Sequence, residues 1–148
     1  MINLQIINNF DNDLKLSNKL ITKILSSILI NQTKYKKADI SIIINNDEYL
    51  RRLKIKYFNM DILTDVITFD LSDNNIDLDA EIYISLDRVR DNAKRYNQTF
   101  NQEMKRIIIH GCLHLVGFND SSKEEINIMR KKEKEYLNEF NQNIILSC

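Results

Sequence analysis

Apolar residues recur along this chain with two periods, and they alternate in blocks. Residues 2–7 alternate loosely and predict a first strand. After Ser17, the residues Leu20, Ile21, Ile24, Leu25, Ile28 and Leu29 repeat at i, i+1, i+4, i+5, i+8 and i+9. That is one helical stripe, capped by Ser17, running to about Ile30 and facing a core. Residues 40–45 are a β-branched run that predicts a buried strand. Asn46 or Asp47 then caps a helix with Leu50, Leu53 and Tyr57 inward, and Arg51, Arg52, Lys54 and Lys56 on its exposed side. Residues 64–69 and 81–86 read as two further strands, with a polar turn at 72–75 between them. Asp87 caps a helix with Val89 and Ala93 inward. Thr99 and Gln102 have the spacing of a capping box and open the next helix. Ser121 or Ser122, with Glu124 or Glu125, opens a last helix whose apolar face is Ile126, Met129, Tyr136, Leu137 and Phe140. Its charged stretch 130–135 reads as a solvated face. The order β-α-β-α-β-β-α-α-α predicts an α/β (α+β) fold, a small mixed sheet of about four strands packed with about five helices.

The length of 148 residues fits a single compact domain over 1–148, without internal repeat or linker. A chain of this size buries about 68–70% of its unfolded surface, so it needs no disulfide. The two cysteines, Cys112 and Cys148, then suit a reduced, cytoplasmic protein. The amino terminus lacks a basic region followed by a long apolar core, so no secretory signal is expected, and no apolar run is long enough for a membrane span. Lysines plus arginines equal aspartates plus glutamates, 21 each, so no global basic field advertises a nucleic-acid partner, and no DNA is expected, although a local basic patch can coexist with neutrality. Lys34, Lys36 and Lys37 read as a solvated loop, while 61–87 contains carboxylates and no lysine or arginine. One side of the molecule is therefore expected to be acidic.

The candidate chemistry is concentrated in one stretch, 110–120, which holds both histidines and both glycines of the protein. On a helix, His110 and His114 stand on one face about 6 Å apart and can share a metal ion. On a strand they are separated by roughly 13 Å, too far for a shared ion. Gly117 suits a helix C-terminus. The chain can then fold back and bring Asp120 to the same ion. Two imidazoles and a carboxylate suit one zinc ion per chain, with a fourth position left open. Cys112, two residues from each histidine, points away from them.

The residues His110, Gly111, Leu113, His114, Leu115 and Gly117, with Phe118 in place of a tyrosine, resemble the signature of the YbeY family. The resemblance extends to Tyr57, Asp61 and the run 64–69, to the strand 81–85, and to Met129, Arg130 and Glu133. It implies a zincin-like α/β fold and a zinc-dependent, single-strand-specific endoribonuclease. It further implies a role in 16S rRNA 3′-end maturation and ribosome quality control, with rRNA and the small ribosomal subunit as partners. Asp65 and Glu81 become weak candidates for a catalytic base. Two positions depart from the pattern. The third ligand, usually histidine, is Asp120, which lowers the charge of the loaded site from about +2 to about +1 and makes it less attractive to a phosphodiester. The arginine usual after the tyrosine is Phe58, so any phosphate grip falls to another cation, with Arg51, Arg52 and Lys56 as candidates.

Two rivals are weighed. A metalloprotease with this ligand spacing needs a glutamate directly after the first histidine, and position 111 is glycine. A ribosome assembly factor that binds without cutting, with a structural zinc, fits the neutral charge and the absent arginine.

Overall fold

The computed structural model describes residues 1–148. In chain order its elements are β1 (Ile2–Asn8), β2 (Lys15–Leu16), α1 (Asn18–Gln32), β3 (Lys37–Asn45), α2 (Asp47–Phe58), β4 (Val66–Asp70), β5 (Asp77–Ser85), α3 (Leu86–Arg95), α4 (Phe100–Leu115), α5 (Lys123–Glu139) and β6 (Ile145–Ser147). The main sheet has the order β1-β3-β5-β4. β1, β3 and β5 are parallel, and β4 pairs antiparallel with β5 at the edge. The expected mixed sheet of four strands with five helices is therefore the fold of this protein.

Alternation decides which face of the sheet is covered. Ala38, Ile40, Ile42 and Ile44 of β3 are buried, and they stand in register beside Leu78, Ala80, Ile82 and Ile84 of β5. α1 and α4 pack on this face, closing a core of 28 buried residues. The opposite face carries Asp39, Ser41, Asp79 and Glu81, and α2 covers only part of it. α4 is the central helix, because Met104, Ile107, Ile108, Ile109, Cys112 and Leu113 are all fully buried. From Gln102 on, only the face of Gln102, Arg106, His110 and His114 is left partly open, and the rest of the helix is covered. None of the helices is long and apolar enough to cross a membrane.

Several boundaries differ from the sequence reading for local reasons. β3 starts at Lys37 and β5 at Asp77, because their first halves alternate exposed polar with buried apolar residues. That is the pattern of a strand covered on one side, not of a fully buried run. β4 starts at Val66. Ser85, not Asp87, caps α3, its hydroxyl accepting from the Arg88 amide at 3.3 Å. Asp87 lies in the first turn and accepts from the Asp47 amide at 3.0 Å. Tyr57 does not point inward; it is exposed and meets Phe69 edge-on at 5.2 Å. The residues 130–135 are not uniformly solvated, since Glu133 is buried against α4. β2 and β6, a two-stranded pair that ties down the C-terminal segment, went unforeseen because strands of two and three residues carry no period. Lys105 reinforces that tie by donating to the carbonyls of Phe140 and Gln142, each at 2.9 Å. The capping boxes at Thr99 and Ser122 both form.

α4 approaches the sheet most closely at Gly111. A Cβ there would stand 3.1 Å from Ile82 Cγ2 and 3.2 Å from Val66 Cγ2. Both methyls are fixed on β-branched side chains and yield only if the backbone moves. A Gly111→Ala variant gains about 1 kcal/mol of helix propensity but overpacks a tight contact at about 1–3 kcal/mol. The expected outcome is a net loss of about 1 kcal/mol, seen as a melting temperature about 3 °C lower. A melting temperature raised by the substitution would show that the contact imposes no constraint.

Candidate metal centre

Two local structures build the centre. α4 carries His110 and His114 one turn apart on its least buried face, with their rings at 84° to each other. The helix then ends in a Schellman turn. The Gly117 amide donates to His114 O at 3.2 Å and the Phe118 amide to Leu113 O at 3.0 Å. Gly117 has φ +105°, a conformation that favours glycine. Phe118 packs against the core and anchors the reversed chain, so Asp120 swings back over the histidines. His110 Nε2 and His114 Nε2 are 3.0 Å apart, and Asp120 Oδ2 lies 3.4 and 3.3 Å from them.

These distances can be tested against a metal. Zinc bonds of about 2.0–2.2 Å put tetrahedral ligands about 3.3–3.6 Å apart. The two contacts to Asp120 meet that spacing, and the histidine nitrogens are slightly closer. Each residue offers one ligand atom and the three atoms converge on a common point, as donors around one cation do. The cluster can therefore hold a metal ion. Side-chain exposure rises from 15% at His110 to 45% at Asp120, which leaves the outer side open.

A buried network stands behind His110. Its Nδ1–H donates to Glu133 Oε2 at 2.6 Å, which fixes the tautomer and turns Nε2 toward Asp120. Glu133 in turn accepts from Arg106 at 3.3 Å. Arg106 also donates to Glu103 at 2.9 and 2.7 Å and lies 3.7 Å from Asp65 Oδ2. Burial alone would lower the pKa of this guanidinium, but the carboxylates of Glu103, Glu133 and Asp65 outweigh it and raise the value. Asn92 bridges Asp65 and Glu103 at 3.3 and 3.4 Å. Sequence reading missed the role of Glu133. The usable signal was its i, i+4 spacing from the buried Met129, which puts it on the inner side of α5.

The cluster opens into a cleft of about 270 Å³ whose walls include Lys54, Phe58, Asp65 and Thr68. Asp65 thus shares the cleft with His110, His114 and Asp120, and its Oδ1 has no hydrogen-bond partner. Glu81 is placed elsewhere. Ile82 faces α4, so Glu81 points to the opposite side of the sheet. There it accepts from Tyr83 Oη at 3.1 Å, and burial together with that carboxylate pushes the Tyr83 phenol up to about 12. Cys112 is fully buried and its thiol is pushed up to about 12 by burial, so it supplies no thiolate to the centre.

Of the cations considered for the Phe58 position, none lines this cleft. Arg51 is held by Glu48 and Asp61, Arg52 by Glu48, and Lys56 lies over the Tyr57 ring. Lys54, read as exposed decoration, is half-buried and lines the cleft instead. Behind the network, Arg106 and Glu133 form the wall of a larger groove of about 620 Å³ that includes Tyr96, Arg130, Lys131 and Lys134. Gly111 also bears on the protease rival. A glutamate there would run into Ile82 and Val66.

Elemental analysis of the purified chain should find about one divalent ion per chain. A Glu133→Gln variant keeps an acceptor for His110 but loses its charge, and should bind the ion about 10- to 100-fold more weakly in a chelator competition. Asp120→Ala, which removes one of the three candidate ligands, should weaken binding further. Unchanged affinity in both variants would exclude this cluster as the metal centre.

Comparison with known proteins agrees with the geometry. The model of a family described as "Endoribonuclease YbeY" matches residues 6–141. The protein named Endoribonuclease YbeY from Flavobacterium johnsoniae is 37% identical over 133 residues, covering 89% of this chain and 94% of that one. Its namesake from Amoebophilus asiaticus is 41% identical over 128 residues, covering 86% of each chain. The solution structure of a Thermotoga maritima protein superposes with a TM-score of 0.58 at 27% identity, covering 94% of this chain and 92% of that one. With the fold, the motif and the matched length in agreement, the chain belongs to the endoribonuclease YbeY family.

Proposed function

We propose that this protein is a zinc-dependent endoribonuclease specific for single-stranded RNA, carried by one domain over 1–148. We place it in the cytoplasm, acting in 16S rRNA 3′-end maturation and ribosome quality control, with the small ribosomal subunit as its partner. The observation that carries the enzymatic part is the convergence of His110, His114, Asp120 and Asp65 on one open cleft. The biological role rests on the family. His110, with a side chain only 15% exposed, is recessed, which favours a strand that can be splayed into the cleft over a rigid duplex.

His110, His114 and Asp120 would hold the zinc, which when bound would supply Lewis acidity and positive charge at the phosphate. The protein's own groups do the rest. Asp65 Oδ2 is oriented by Asn92 and Arg106, which leaves Oδ1 to take the proton of the nucleophile, a water or the ribose 2′-hydroxyl. The nucleophile's oxygen bonds phosphorus as the P–O bond to the leaving ribose oxygen breaks, and that oxygen takes a proton from solvent. Arg106 is surrounded by carboxylates, so it orients Asp65 and does not reach for substrate. Arg130, Lys131 and Lys134 form no ion pair with any acidic side chain within 4.0 Å, and offer the flanking strand a basic surface.

The alternative, an assembly factor with a structural zinc, is disfavoured by the core. What speaks against it is that the 28 buried core residues include none of His110, His114 and Asp120.

The test is cleavage of a single-stranded oligoribonucleotide by the zinc-loaded chain, with the matching duplex as control. Cleavage of the single strand only, lost on chelation and restored by zinc, is expected. His114→Ala should lose cleavage while keeping the melting temperature within a few degrees, as should Asp65→Asn with full zinc content and a rate about 10²- to 10⁴-fold lower. A loaded protein that cuts no RNA, or a His114→Ala chain that no longer folds, would favour the structural reading.

A further inference from the structure

We propose that Lys54 is the residue that grips the substrate phosphate in the metal cleft, presented there by the ring of Phe58. The inference rests on the ribonuclease reading above. Lys54 is the only lysine or arginine lining the cleft, whose acidic groups are Asp65 and Asp120. Charge makes it decisive. A divalent ion with one carboxylate ligand leaves about +1. Asp65 cancels that, and a phosphodiester entering the cleft meets no net attraction. Lys54 restores a positive charge where the anion must sit.

Lys54 is also free to act. It has no carboxylate within 4.0 Å and its Nζ makes no hydrogen bond, in contrast to Arg51, Arg52 and Arg106, which are all ion-paired. What holds it is the Phe58 ring one turn later on α2, with Nζ 4.6 Å from the ring centroid. An aromatic face attracts an ammonium without neutralising it and accepts none of its N–H groups in a strong bond. Phe58 is itself braced by stacking on Phe69 of β4 at 6.0 Å, and Phe69 meets Tyr83 edge-on at 5.7 Å. The flexible lysine stem is thus confined beside the metal cluster while its three donors stay available to phosphate oxygens. A carboxylate partner would have confined it equally well and silenced its charge.

The experiment uses the full zinc-loaded chain and a fluorescently labelled single-stranded oligoribonucleotide. Cleavage kinetics are measured, and binding is followed across a salt titration on the same zinc-loaded chain, at times too short for cleavage. Lys54→Ala should weaken RNA binding about tenfold, as expected for one charge-assisted contact. It should also flatten the slope of log affinity against log salt by about 0.7, the signature of one lost phosphate contact on a single strand. Lys54→Arg should restore most of both, and zinc content should be unchanged in each variant. Phe58→Leu should weaken binding less than Lys54→Ala, with the salt slope intact, because the charge remains while its seat is lost. A wild-type chain that cleaves RNA alongside a Lys54→Ala chain of equal affinity and equal slope would overturn the proposal and leave the ribonuclease reading standing. A wild-type chain that binds RNA through Lys54 but never cleaves it would support the grip and overturn the ribonuclease reading. Failure of the wild type to bind RNA at all would overturn both.

Discussion

The contact between α4 and the sheet at Gly111 sets the geometry of everything functional. With no side chain at 111, the helix backbone sinks to within van der Waals reach of Ile82 and Val66, whose methyls would stand 3.1 and 3.2 Å from a Cβ. The same approach fixes where the neighbours go. His110 and His114 flank the seated residue and come to the rim of the interface, at 15% and 25% exposure. Val66, which forms one wall of the seat, is preceded by Asp65, so the contact also brings that carboxylate beside the helix. A glutamate next to the first histidine would require the helix to rise off the sheet. The carboxylate nearest the seat is instead Asp65, in the segment that leads into β4.

Electrostatics behind the seat follow from burial. One guanidinium, Arg106, meets Glu103, Glu133 and Asp65, three carboxylates against one positive charge. Such an excess of negative charge in a partly dehydrated place is costly unless another cation stands near. His110 connects the excess to the metal cluster, because its Nδ1 bonds Glu133 while its Nε2 faces Asp120. Electron density pushed from Glu133 makes the ring a better donor to a cation, and a cation held at the cluster would in turn compensate the carboxylates. Network and metal centre are complementary halves of one charge arrangement.

Much of this was legible in the sequence, and the reasons separate by range. The capping boxes at Thr99 and Ser122 are local, three residues across, and both form. His110, His114 and Asp120 were legible because a helix turn and a glycine stop set their spacing over ten residues. The four-strand sheet and five helices followed from periodicity. Glu133 was misread as solvated because its partner lies 23 residues away, on another helix. Lys54 was read as decoration, and Glu81 as a neighbour of the site, because neither the cleft wall nor the strand's facing is set by near neighbours in sequence. Tyr57 was placed inward by its i, i+7 spacing from Leu50, yet α2 lies on the sparsely covered face of the sheet, where only Leu50 of that helix is buried. Helical period predicts which residues share a side, not how much protein waits there to cover it.

The departures from the family pattern act on one quantity, the field at the cleft. Asp120 contributes a negative charge to the cluster, and Phe58 presents an aromatic face on the cleft wall where the resemblance leads one to expect a guanidinium. An ammonium one turn earlier on α2 is held against that face at 4.6 Å. A lysine is a mobile point charge where an arginine is a rigid fork, so the exchange keeps attraction and gives up bidentate geometry. The cleft then contributes less to binding than a more positive one, and affinity for a polyanion shifts toward charges outside it. Those charges lie in the groove behind the wall formed by Arg106 and Glu133, where Arg130, Lys131 and Lys134 line one side and Tyr96 is 56% exposed. Basic side chains beside an exposed ring suit a flexible strand, since phosphates meet the charges and a base can stack on the ring. A chain with no net charge can still carry a local basic surface, such as Arg130, Lys131 and Lys134 in this groove, while the segment 61–87 has no lysine or arginine. Neutral composition and affinity for RNA are compatible for this reason: the field that matters extends about one Debye length, roughly 8–10 Å, and not over the whole molecule.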